Sequence, residues 1–126
     1  MNFKNIMVIS TVLALGFGIG FLIFPSPLAS LYGLKLSHSG VFIGRLLGAE
    51  LIGYGLLAWF IRNIVDPSIQ RPLLLAFFVT DGTGFIVTLL TQLAGLMNIL
   101  GWVIVAVYLF LTLCFGYLRF LKRNVS

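Results

Sequence analysis

Three ionisable side chains, Arg45, Glu50 and Asp81, stand inside stretches that are otherwise apolar. A charge near the middle of a membrane-spanning helix costs roughly 2.5–3.5 kcal/mol on insertion scales, so each needs a partner, water or a proton. Groups retained under that penalty point to proton exchange, to ligand recognition or to a polar clasp that fixes helix register. Thr88, Gln92 and Tyr108 add hydrogen-bonding groups in the segments that follow, and these six residues make up a candidate polar centre.

Depth along the helices tests which of them can meet. With Arg62 and Pro72 as the edges of the second and third segments, Glu50 lies ~18 Å and Asp81 ~13 Å from that edge. Arg45 lies ~25 Å away, near the opposite boundary. Glu50 and Asp81 therefore share a depth to within about one turn. Arg45 and Glu50 are five residues apart, so their side chains diverge by roughly 140° and do not form a pair along one helix. Two arrangements follow. Arg45 turns outward to lipid phosphate or loop carbonyls, leaving Glu50 and Asp81 near each other, where a shared proton relieves their repulsion. Alternatively, helix tilt brings Arg45 into a network with one carboxylate.

No other chemistry is legible. His38 is the single histidine and Cys114 the single cysteine, so neither a histidine-paired metal site nor an internal disulfide can form within the chain. Asp81-Gly82-Thr83-Gly84 departs from the Asp-Thr-Gly order of aspartic proteases and continues as an apolar helix. No catalytic residue and no metal ligand is assigned.

The elements that must position the polar centre follow from hydropathy. Residues 6–24, 41–61, 73–94 and 99–121 are long apolar segments in a chain of 126 residues that is 60% hydrophobic and 9% charged. About 20 helical residues cross a ~30 Å hydrocarbon core. Open sheets cannot exist in lipid and nothing alternates like a barrel strand, so the expected fold is an all-α membrane protein. Its single domain, residues 1–126, is a four-transmembrane-helix bundle.

The loop 25–40 carries signals for a short interfacial helix: Ser26 as cap, Pro27 at the first position and Gly33 at the end. Ser37 or Ser39 suits the cap of the second spanning helix, and Asp66-Pro67 the start of the third. Pro72 is positioned to kink the start of that helix. The short connection at Gly95 to Asn98 predicts a tight antiparallel pair of the third and fourth segments.

Lipid gives helices no hydrophobic reason to associate, so small and polar residues mark the interior. In the third segment Thr80, Asp81, Gly84, Thr88, Thr91, Gln92 and Gly95 fall on one stripe. Gly44-x-x-x-Gly48 with Gly55 gives the second segment a packing face, and Ser10, Ala14 and Gly18 give one to the first. Gly16 and Gly20 form another face on the first segment, with room for a partner. Gly101, Val105, Tyr108 and Thr112 align on the fourth.

The net charge of +5 does not point to nucleic acid, because the cations sit at segment ends among lipid headgroups. Lys4, Arg62, Arg71, Arg119, Lys122 and Arg123 fall on one side, with Lys35 on the other and Arg45 just inside a helix. By the positive-inside rule both termini are cytoplasmic in a multi-pass cell-membrane protein.

Gly44-Arg45-x-x-Gly48, then Gly53-x-Gly55 and Trp59, resembles small bacterial four-helix proteins of the DoxX-like group. Tyr32-Gly33-Leu34 before the second segment is similar to the first loop of an uncharacterised family of about this length. The resemblance implies a bacterial inner-membrane bundle, some of whose relatives are linked to quinol oxidase or redox systems. It carries over no catalytic residues, and the lone cysteine departs from a thiol-redox role.

The first expectation is an accessory, assembly or helix-packing subunit without catalysis of its own. Its partners would be membrane lipids and a homo-oligomer or larger membrane complex. The alternative is binding or transport of a proton, a small apolar molecule or a quinone-like lipid between the second and third segments. No cofactor is predicted beyond a bound lipid or quinone.

Overall fold

A computed structural model describes residues 2–121, and these residues form helices and turns without strands. Helix α1 spans Phe3–Ile23, the short α2 Pro25–Leu31, α3 His38–Ile61, α4 Pro67–Leu93 and α5 Gly101–Gly116, which continues as a π-helical turn through Tyr117–Leu121. Four of these are apolar and long enough to cross a membrane, which makes the chain an all-α, multi-pass membrane protein.

Local chemistry accounts for the ends. Asn2 caps α1 by accepting the Asn5 amide at 2.8 Å, Ser37 caps α3 through Gly40 at 3.1 Å, and Asp66 caps α4 through Ser68 at 3.0 Å. Helices α1, α3 and α4 begin before the apolar segments predict, as α4 does at Pro67, whereas α5 begins slightly later, at Gly101. Hydropathy marks the part immersed in hydrocarbon, whereas capping extends the helix into polar surroundings. Pro72 lies inside α4 and does not end it, because a missing N–H so near the start removes one bond of a long ladder. Helix α2 starts at Pro25, not after a Ser26 cap. Phe24 holds the cap position without a side-chain bond, and the Ser26 carbonyl accepts the Ser30 hydroxyl at 2.8 Å. Gly33 follows at φ 78° and turns the chain away, as its freedom at positive φ permits. Of the cations used for topology, Lys122 and Arg123 lie outside the described residues.

Packing divides the bundle into two helical pairs, α1 against α3 and α4 against α5. Glycine sets the first pair. A Cβ on Gly48 would stand 2.6 Å from the Gly18 carbonyl oxygen and the Leu22 amide, both backbone atoms that cannot step aside. A Cβ on Gly55 would meet the Leu15 side chain at 2.9 Å. That close approach lets the Thr11 hydroxyl reach the Gly55 carbonyl at 3.2 Å while also bonding Met7 in its own helix. Gly44 lies in ordinary contact with Pro25, and Gly20 faces Leu28 of α2. Gly16 alone of the expected packing glycines faces open space on α1. In the second pair Gly84 receives the ring of Tyr108, and Gly101 lies against Gln92.

The two pairs converge at one end only. Phe3, Ile6 and Met7 of α1, Ala58 of α3, Leu74 and Phe77 of α4, and Leu111, Phe115 and Leu118 of the last helix form one buried cluster there. The rings of Phe77 and Phe115 stack at 5.2 Å. Beyond the cluster, α3 and α4 scarcely approach each other. Phe42, Phe60, Leu90 and Leu113 point outward, as lipid-facing side chains do. Arg62 at this converged end lays its guanidinium 3.5 Å over the Trp59 ring, a cation held beside an amphipathic aromatic.

Replacing Gly48 with Ala should cost about 1–3 kcal/mol, because the backbones of α1 and α3 must separate. Gly53→Ala, with nothing within 4 Å of the new methyl, should be neutral. Unfolding of both variants by denaturing detergent from mild micelles checks the difference.

Candidate functional site

Where α3 and α4 part, the bundle forms a partly open cavity of ≈ 630 Å³. All four spanning helices contribute walls. Phe17 and Phe21 come from α1, Leu47, Leu51 and Leu57 from α3, and Ile104, Val107 and Leu111 from α5. Polar groups interrupt this apolar lining at few places: Ser10, Glu50, Tyr54, Thr80, Asp81, Thr88, Thr91 and Tyr108.

Asp81 is the best buried of the three intramembrane charges, with 3% of its surface exposed. Its partner is Tyr54, whose hydroxyl donates to Asp81 Oδ2 at 2.7 Å. The same tyrosine ring meets Phe77 edge-on at 4.8 Å. One side chain thus joins α3 to α4 by a polar and an apolar contact at the floor of the cavity. A carboxylate in low dielectric gains more from such a bond than it would in water.

Of the expected polar centre, Glu50, Asp81, Thr88 and Tyr108 line this one cavity. Glu50 is exposed along α3 and takes no hydrogen-bond partner among the described residues. Arg45 does not join them: it is exposed, two turns farther along α3, and is absent from the cavity wall. Arg45 is turned away, as in the first of the two arrangements open to the sequence, but Asp81 takes Tyr54 as its partner and not Glu50. The roughly 140° divergence between Arg45 and Glu50 on one helix is the physical reason that Arg45 stays apart. Gln92 is likewise elsewhere. It is buried beside Gly101, and its Nε2 donates to the Asn98 carbonyl at 3.1 Å, tying the turn between α4 and α5.

The threonine stripe faces the bundle but is largely self-satisfied. Thr80, Thr88 and Thr91 donate to the carbonyls of Ala76, Gly84 and Val87 at 2.8–2.9 Å. Each hydroxyl oxygen keeps lone pairs for a further donor. Ser10 differs: it is fully buried behind the cavity wall, with its hydroxyl beside that of Tyr54.

The end away from the aromatic cluster is closed by two loops locked together. Asn98 donates its backbone amide to the Tyr32 carbonyl at 2.9 Å and its side-chain amide to the Leu31 carbonyl at 2.9 Å. Leu34 and Met97 from these loops form the adjoining cavity wall. Burial at this junction pushes the Tyr32 phenol above its ordinary pKa.

Sequence reasoning missed Tyr54 and Ser10. Tyr54 was within reach of the depth argument, since eight residues from Arg62 place it ~12 Å deep, level with Asp81. Ser10 gave only a small-residue signal, because nothing in a sequence shows which neighbouring side chain a hydroxyl will lie beside.

Comparison with family models, with curated proteins and with solved structures finds no match. The cavity itself is therefore the basis for a functional reading. Tyr54→Phe keeps the ring against Phe77 and removes the hydroxyl, so stability in micelles should fall by roughly 0.6 kcal/mol and at most ~1.7 kcal/mol. Equilibrium unfolding with a tertiary-structure probe measures it.

Proposed function

We propose that this chain binds a small, mainly apolar molecule within the membrane, with the molecule's polar end held at the Tyr54–Asp81 pair. The supporting observation is the cavity of ≈ 630 Å³ whose polar groups converge from α1, α3, α4 and α5. Its size falls within the roughly 300–1,000 Å³ range of small-molecule sites, and its apolar walls with few polar groups have the usual composition of such sites. Transport is an extension of the same reading, since α3 and α4 are joined by side chains and not by close backbone packing.

Lys4, Arg62, Arg71 and Arg119 at the converged end support an orientation with both termini cytoplasmic. With the DoxX-like resemblance, this reading sets the protein in a bacterial inner membrane.

Gentle extraction followed by native mass spectrometry should reveal a bound small molecule. Gly53→Phe, whose side chain enters open cavity space, should abolish it while leaving the fold intact. Equal retention of the molecule by the variant, or recovery of bulk phospholipid alone from both proteins, would refute the reading.

A second reading, the accessory or assembly subunit, is favoured by one feature. Val12, Leu13, Gly16, Phe17 and Gly20 line a separate groove of ≈ 370 Å³ on α1, where a partner helix or second copy could lie close to the backbone. If so, crosslinking in native membranes should yield a dimer or a larger complex, and Gly16→Leu should reduce its yield severalfold.

A further inference from the structure

The cavity is unbalanced in both charge and hydrogen-bonding capacity. Glu50 and Asp81 line it, and no lysine, arginine or histidine does. Among the described residues its titratable side chains are those carboxyl groups with Tyr54 and Tyr108, and no described cation lines it beside them. Acceptors dominate the hydrogen-bonding groups as well. The Tyr54 hydroxyl already donates its hydrogen bond to Asp81, and the Thr80, Thr88 and Thr91 hydroxyls donate theirs to backbone carbonyls, which leaves Tyr108 as a free hydroxyl donor. What remains free on the tyrosine and threonines that donate is lone pairs.

Such a lining, with two carboxyl groups and few free donors, offers little to a neutral acceptor head. It suits a group that carries positive charge. The faces of Phe17, Phe21, Tyr54 and Tyr108 supply aromatic walls of the kind that hold alkylammonium groups. Leu47, Leu51, Leu57, Ile104 and Val107 leave room for an apolar body.

Resting on the reading of the cavity as a ligand site, we propose that its occupant is a lipophilic organic monocation, an amine or quaternary ammonium joined to an apolar body. The carboxyl groups of Glu50 and Asp81 face the cationic centre, the aromatic rings surround it, and the aliphatic side chains hold the remainder. No covalent step is involved.

The test uses para-butylphenyl-trimethylammonium and its neutral carbon isostere, para-butyl-tert-butylbenzene. Each is equilibrated by dialysis against nanodiscs carrying the whole protein and against empty nanodiscs. The cation should bind saturably, and the isostere about tenfold more weakly or less. Glu50→Gln should weaken cation binding by a similar factor while leaving the isostere unaffected. This variant has no partner to lose, so it keeps the test decisive if Asp81→Asn fails to fold. Equal affinity for the two probes, or a Glu50→Gln variant that binds the cation as the parent does, would overturn the cationic assignment while leaving the cavity a ligand site. Failure of both probes to bind the parent protein above empty nanodiscs would overturn the two readings together.

Discussion

The hydrogen bond from Tyr54 to Asp81 joins two helical pairs that otherwise meet only near one end and through their loops. In hydrocarbon, helices gain nothing by hiding apolar surface from one another, since the lipid is equally apolar. Association must come from close backbone contact or from polar groups with nowhere else to turn. The α1/α3 pair uses the first means, through Gly18, Gly48 and Gly55. The α3/α4 junction uses the second, because Asp81 is 3% exposed and Tyr54 is the group placed to satisfy it.

That division of labour produces the cavity. Glycine contacts pull α1 and α3 together along their length, and the short turn at Gly95 holds α4 against α5. The pairs themselves converge where Phe77 and Phe115 stack among Phe3, Ile6, Met7 and Leu118. Farther along, no glycine face on α3 is presented to α4, and the helices stand apart. The Asn98 bonds to Leu31 and Tyr32 close the far end, so the gap becomes a partly open space with lateral limits set by α3 and α4. The packing that stabilises each pair thus leaves a space between them, and the polar groups that cannot face lipid gather along its walls.

The distribution of polar groups gives the cavity its chemical character. Threonines on α4 close their donors onto their own backbone, as helical threonines do, and present oxygen lone pairs. Together with Glu50 and Asp81, they make a site with few free donors and, among the described residues, no cation. Arg45 lies toward the other end of α3 and does not offset them.

The amino-acid sequence by itself determined the number of spanning helices, a cap at Ser37 or Ser39 and one at Asp66, and the inward turn of Asp81, Gly84 and Thr88 on α4, because these depend on local chemistry and on periodicity along one helix. It also placed Glu50 and Asp81 at a common depth, which is a matter of residue counting. The pairing of Asp81 with Tyr54, the exclusion of Arg45 and Gln92 from the site, and the burial of Ser10 were decided only by the tertiary structure. Those depend on the rotation and separation of one helix relative to another. Steric contacts such as Gly48 against the backbone of Gly18 and Leu22 set them, and no single helix encodes both sides of such a contact.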